Sequence, residues 1–566
     1  MSTYSWKPSG QYENPKRLML SRFAPNDTGR LSTDDINKWF MRSYEEQYHV
    51  DGFDEAKKII DEHPDLRIHV FGDFDVDGRT ATVILKNGLK AYGRPDVCAR
   101  IPKRNSEGYG MNMNMVNEIE NQAIIITCDN GIAAIEPIAE AKKRGHIVIV
   151  TDHHQAAVDQ DGKTVYPEAD VIIDPNALPG TADFAGYCGA GLAYKFIRFL
   201  IGKQNAKIYE PLAAVATIAD GVPLCEENFV FARDGLRMIG KRRAPLGLLA
   251  LFDAMGVEDP TAENVSFKIA PPINAPGRLH DEDMLTIPML ETQSYRYALN
   301  LAKQVRELNN QRKDLTAKGM NACQEYIDRN RLNDDPCLIL KAQVISGMVG
   351  ILAGKVTEKY KRPCVVFTEP DNEIMKGSGR SVDYIDLKAL LDQVNSLFVK
   401  YGGHAAAAGI TMKECNLEKF REEMNRMVRP LLTDGADSNT RTYDYEIEAS
   451  QIAEILDLQE KFEPHGEGNP KPVYKINNFM PTGAGRIGEN GIKVFSPLGN
   501  AVAFGIGDDL LNRKLVNTVM TLYGTLAYNV YRKERTLQIV FVDYDIVHNG
   551  GTEFAEKIRR VSTKTR

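Results

Sequence analysis

Ile68-His69-Val70-Phe71 runs directly into Gly72-Asp73-Phe74-Asp75-Val76-Asp77-Gly78. A short apolar run that ends in alternating aspartates reads as a β-strand delivering carboxylates from its C-terminal end. Further apolar runs follow: Val97 to Ile101, Ala123 to Thr127, His146 to Val150 and Val171 to Ile173. Helix-like segments such as Ile132 to Arg144 lie between several of them. Strand and helix alternating at this spacing predict a parallel sheet covered by helices. Ligands in such sheets bind outside the carboxyl ends of the strands. Asp129-Asn130-Gly131 follows the third run and Asp152-His153-His154 the fourth. A further aspartate, Asp220, follows the apolar segment Leu212 to Ala219. The sheet reading places these groups at one edge.

So many carboxylates sharing a small site repel one another unless cations separate them. Oxygen-rich sets with one or two imidazoles suit Mn²⁺ or Mg²⁺, and two such ions support phosphoryl transfer. Each motif alone has a plainer reading. The DxDxDG run could be a calcium loop, but the twelfth position is Ile84 rather than glutamate, and a strand precedes it instead of a helix. Asp129-Asn130-Gly131 alone reads as a turn, and His153-His154 as a surface pair. Their recurrence at successive strand ends favours one shared metal site. No nucleotide-driven motor is visible. Gly162-Lys163-Thr164 looks like the end of a P-loop, but Ala157 occupies the place of its first glycine.

The 566 residues are too many for one core, so two to four domains are expected. Net charge is −7, which argues only weakly against a nucleic-acid partner, because a local basic channel fits within an acidic protein. The eight cysteines are scattered without a CxxC pair, which fits reduced thiols in a cytoplasm. No apolar run approaches the length of a membrane span, and MSTYSWKPSG is not a signal peptide.

The expected organisation is α/β. A mostly helical region spans residues 1–66, a parallel-sheet catalytic domain 67–285, and a long connecting helix 286–332. A smaller α/β domain covers 333–432. The polar stretch TDGADSNT, residues 433–440, reads as a linker. Strand-like runs over 437–549 suggest a β-barrel, with the OB-fold a candidate, and 550–566 is a tail.

The ordered motifs resemble the RecJ branch of the DHH phosphoesterase superfamily. Asp152-His153-His154 is similar to the name-giving motif. Ile101-Pro102-Lys103-Arg104 with Glu107-Gly108-Tyr109-Gly110 resembles a RecJ segment, as do Cys188-Gly189-Ala190-Gly191, Asp220-Gly221-Val222-Pro223 and Ile273-Asn274-Ala275-Pro276-Gly277-Arg278. Gly377-Ser378-Gly379-Arg380-Ser381 and Gly402-Gly403-His404 through Gly409 look like the associated DHHA1 domain. Gly466 to Pro470 resembles the start of the RecJ OB-fold.

The resemblance implies a metal-dependent exonuclease that digests single-stranded DNA 5′ to 3′ and releases 5′ mononucleotides in repair and recombination. Two ions, Mn²⁺ or Mg²⁺, are implied. Asp73, Asp75 and Asp129 would hold one; Asp77, Asp129, His153 and Asp220 the other. Asp152 would orient ligands, and His154 and His404 would approach the scissile phosphate. Arg104, Ser378 and Arg380 would grip the 5′ phosphate; Asn274 and Arg278 would line the DNA path. The glycines around Ser378 are expected to form a tight turn that presents backbone N–H groups. A monomer assisted by a helicase and a single-strand-binding protein is implied. Departures exist: Val344 to Ile351 lacks the Trp-His pair usual in the family, and Pro464-His465-Gly466 stands for PFG. The rivals are a DHH phosphoesterase for short oligonucleotides or cyclic dinucleotides, and a non-catalytic DNA-binding scaffold.

Overall fold

The computed structural model describes residues 4–10, 12, 14–21, 48–104, 106–158, 162–434, 440–488, 491–505, 510–511, 515, 518–531 and 534–547. The chain divides into two compact units, residues 43–435 and residues 1–42 with 436–566.

The larger unit opens on five strands: β1 (Arg67–Phe71), β2 (Val97–Arg100), β3 (Ala123–Cys128), β4 (Ile147–Thr151) and β5 (Val171–Ile173). They pair in the order β2-β1-β3-β4-β5, every pair parallel. All six residues of β3 are buried, as a central strand covered on both faces requires. Helix α1 (Val76–Ala91) follows β1 at once, because Asp75 caps it by accepting the Gly78 N–H at 3.0 Å. Gly78 admits no side chain, since a Cβ there would lie 2.5 Å from the Asp73 nitrogen. Helices α2 (Gly189–Ile201), α3 (Glu210–Asp220) and α4 (Ala270–Leu279) belong to this domain, and their apolar faces share one core with β1, β3 and α1.

Helix α5 (Tyr295–Asn330) is the expected connector. Beyond it β6 (Leu338–Ala342), β7 (Cys364–Thr368), β8 (Ile374–Arg380), β9 (Phe398–His404) and β10 (Ala407–Lys413) form a mixed sheet in the order β9-β10-β8-β7-β6. Helix α6 (Ser346–Tyr360) packs on β7 and β8. No helix among the described residues is long and apolar enough to cross a membrane.

The smaller unit holds a seven-stranded sheet from Tyr445–Glu448 at one end of the order to Gly483–Ile487 at the other. Its strands curl round a single core that includes Ile447, Phe479, Val494 and Phe541. The expected barrel strands are present, and two that patterning did not separate, Gly483–Ile487 and Gly491–Phe495, complete the ladder. The expectation of a mostly helical N-terminus fails at Ser5–Pro8. This segment is a strand paired in parallel with Thr440–Tyr443, a partner more than four hundred residues away. Residues 22–47, most of the proposed linker and the tail 550–566 lie outside the described residues.

Candidate active site

The strand-end motifs converge as the parallel sheet demands. Asp73, fully buried, accepts the Gly110 N–H at 3.2 Å through one oxygen, while its other oxygen is buried without a partner. Asp77, in the first turn of α1, accepts N–H groups from Gly189 at 2.6 Å and Ala190 at 2.8 Å. Those donors open α2, so the positive end of that helix faces this carboxylate. Asp129 follows β3 with φ 61°, a left-handed conformation that aspartate tolerates better than most residues. His153 Nε2 lies 3.0 Å from Asp129, 3.5 Å from Asp77 and 3.9 Å from Asp220. Asp220 differs from the others in origin: it ends helix α3, with Gly221 as the left-handed cap.

Three groups have ligand atoms within 4.8 Å of one another: Asp73-Asp75-Asp129, Asp77-His153-Asp220 and Asp129-His153-His154. Asp129 is common to two of them. Burial and the surrounding carboxylates push Asp73 and Asp129 well above the usual carboxylate range, and Asp220 up to about 8. A buried orphan oxygen among mutually repelling carboxylates fits a divalent cation, whose charge would relieve both.

Asp152 plays a different part. Its carboxylate accepts the Ile132 N–H at 3.0 Å, the His153 N–H at 2.8 Å and the His154 Nδ1–H at 2.8 Å. Burial works against charge on both partners of that last pair, yet the bond holds Asp152 below its ordinary range and lifts His154 to about 9. The Tyr109 hydroxyl donates to the Asp129 carbonyl at 2.6 Å and lies 3.1 Å from the His154 ring. Asp174, which follows β5, escaped the sequence reading. Burial raises it to about 7, and its turn places the Asn176 amide 2.8 Å from the His153 carbonyl. Reapplying the strand-end rule to the fifth run would have found it.

The carboxylates carry a stability signature. The folded pKa values of Asp73, Asp129 and Asp220 are raised, so without metal these groups bind more protons in the folded than in the unfolded state between about pH 4 and 8. Stability of chelated protein should therefore fall as pH rises through that window. Added Mn²⁺ should restore it most at the alkaline end, raising the melting temperature more at pH 8 than at pH 5. Equal shifts at both pH values would dissociate these carboxylates from the metal.

The basic residues lie on the facing elements of the same unit. Arg104 sits 4.2 Å from the Phe74 ring. Arg278, on α4, donates to the Gly347 carbonyl of α6 at 3.4 Å. Burial, with Arg104, Arg312 and Arg380 nearby, lowers its guanidinium to about 9. The Asn274 amide oxygen is buried without a partner. Arg380 donates to Ser378 Oγ at 3.0 Å.

The expected tight turn at Gly377-Ser378-Gly379 is corrected by the structure. These residues lie in β8, paired with β7 on one side and β10 on the other. Their glycines answer a packing need, since a Cβ at Gly377 would lie 2.4 Å from the Phe367 ring and one at Gly379 2.7 Å from Leu387. Strand alternation puts Ser378 and Arg380 on the opposite face, toward Gly350 of α6. The polar groups this segment presents are therefore side chains, not a nest of backbone N–H groups. His404 ends β9, exposed at the hairpin before Ala407, and no described hydrogen bond ties it to the carboxylates.

Comparison with known proteins agrees with this geometry. The DHH family N-terminal domain matches residues 67–219, the DHHA1 domain 334–429 and the RecJ OB domain 443–543. The single-stranded-DNA-specific exonuclease RecJ of Bacillus subtilis is 28% identical over 93% of this chain and 67% of its own. The Mn²⁺ complex of Thermus thermophilus RecJ superposes with a TM-score of 0.75 at 26% identity, covering 91% of this chain and 74% of that one. A manganese-bound exonuclease RecJ is 30% identical, with a TM-score of 0.59, over 69% of this chain and 98% of that one. With three domains matched in order and a solved relative covered almost throughout, this chain belongs to the RecJ family.

Proposed function

We propose that the protein is a single-stranded-DNA exonuclease that uses two Mn²⁺ or Mg²⁺ ions and removes 5′ mononucleotides in the 5′ to 3′ direction. The observation that carries this reading is the pairing, within one compact unit, of a carboxylate-histidine cluster with shielded arginines that make no ion pair among the described residues. Bound ions would activate water and stabilise the leaving oxygen. Asp73, Asp75, Asp77, Asp129, His153 and Asp220 hold them. Asp152 fixes the His154 ring, which would approach a phosphate oxygen. Arg104, Ser378 and Arg380 take the terminal 5′ phosphate, a task suited to the planar guanidinium fork. Asn274 and Arg278 guide the strand, and His404 closes on it from the second domain.

Contact between α4 and α6 bounds the opening. A Cβ at Gly347 would lie 2.2 Å from the Arg278 carbonyl oxygen, so the two domains touch there. A bounded passage takes one strand and rejects a duplex. The same proposal has the protein act in the cytoplasm as a monomer in repair and recombination, with a helicase and a single-strand-binding protein preparing its substrate. Digestion of single-stranded and blunt duplex DNA with Mn²⁺ tests the reading. Rapid loss of the single strand and persistence of the duplex are expected; equal rates on both would overturn it.

A further inference from the structure

Helix α5 buries one stripe of side chains. Toward its start the stripe is apolar, with Ala298, Leu301, Ala302 and Val305, and packs on α4 and its neighbours. Toward its end the stripe is Gly319, Cys323 and Ile327 and packs on α6 and β6, Gly319 lying against Leu352 and Val344. Between these contacts the buried positions become polar: Asn309 and Thr316. Arg312 falls three residues after Asn309 and four before Thr316, so it shares their face. The midpoint of the connector therefore presents an amide, a guanidinium and a hydroxyl between the two domains.

A solvated surface arginine is the plain alternative, and two observations count against it. Asn309 is 1% exposed, and its side-chain oxygen accepts the Arg312 Nε–H at 3.0 Å. That bond orients the guanidinium and leaves both terminal amino groups without a hydrogen-bond partner among the described residues. Arg312 is also half-buried, with no carboxylate in ion-pair range among the described residues. Several shielded arginines elsewhere are matched, Arg79 by Asp283, Arg100 by Glu107 and Arg421 by Glu418. A shielded charge without a counterion is costly unless a ligand supplies one. Arg312 also lies on α5 between its contacts with α4, which carries Arg278, and with α6.

We propose that Arg312, oriented by Asn309, is a strand-binding residue that grips an internal phosphate of single-stranded DNA. This rests on the reading under Proposed function. The test is binding of a short oligothymidylate to the full chain in EDTA, across a series of salt concentrations, with 5′-phosphate and 5′-hydroxyl ends. Arg312→Ala should weaken binding about tenfold or more at low salt. The slope of log affinity against log salt should fall by about 0.7, the value for one lost contact on a single strand. The preference for a 5′ phosphate should not change. Arg312→Lys should keep the slope while losing part of the affinity.

Unchanged affinity and slope in Arg312→Ala, with the parent binding normally, would overturn the assignment and leave the exonuclease reading intact. A loss with unchanged slope would make the role structural, and a loss confined to 5′-phosphorylated strands would make Arg312 an end-reader; either overturns the proposal. Failure of the parent itself to bind single strands would sink the exonuclease reading and this proposal together.

Discussion

Asp129→Asn is expected to abolish hydrolysis, with a loss on the order of a thousandfold or more at saturating Mn²⁺. Asp129 belongs to two of the three ligand groups found among the described residues, so on the proposed reading one substitution would remove a negative charge from both ion positions. The substitution is also conformationally mild. Position 129 has φ 61°, and asparagine is among the few residues that accept that region readily. Burial already penalises the aspartate charge, so the metal-free fold should melt at the same temperature or slightly higher. Lost activity with an intact melting transition is the expected pair of results. Activity within a few-fold of the parent would remove Asp129 from its bridging role.

Arg380→Ala is expected to cost ten- to a hundredfold on 5′-phosphorylated strands and much less on 5′-hydroxyl strands. The side chain lies in a paired strand, and its hydrogen bonds to Ser378 Oγ and to the Gly379 carbonyl at 2.8 Å hold it in place. The strand registers it, because a one-residue slip would send Arg380 to the Phe367 face. Comparing parent and mutant on both ends isolates the coupling between this arginine and the terminal phosphate. The same loss on both substrates would show that Arg380 contacts another part of the strand and that polarity has a different origin.

The convergence of the carboxylates was readable for a physical reason. A parallel sheet gathers its strand ends at one edge, so Asp73, Asp129 and Asp152 had to converge once the strands were recognised. Asp220 obeys no such rule: the apolar segment that flagged it, Leu212 to Ala219, is a helix rather than a strand. The Gly-Ser-Gly segment was read as a turn because glycine usually signals one. Here Phe367 and Leu387 occupy the space where side chains would go, and that crowding comes from residues distant in sequence. The N-terminal strand Ser5–Pro8 was illegible for the same reason, since its pairing partner lies at Thr440–Tyr443. Arg312 was hidden differently. It sits in a helix dense with charge, and only burial separates it from its solvated neighbours.

The most direct test of the account is digestion of one single-stranded oligonucleotide labelled in parallel at its 5′ or its 3′ end, with Mn²⁺ and then with EDTA. Metal-dependent release of the 5′ label as a mononucleotide from the earliest times, with the 3′ label retained on a shortening strand, is the predicted result. Early release of the 3′ label, cleavage to internal fragments, or digestion that continues in EDTA would contradict it.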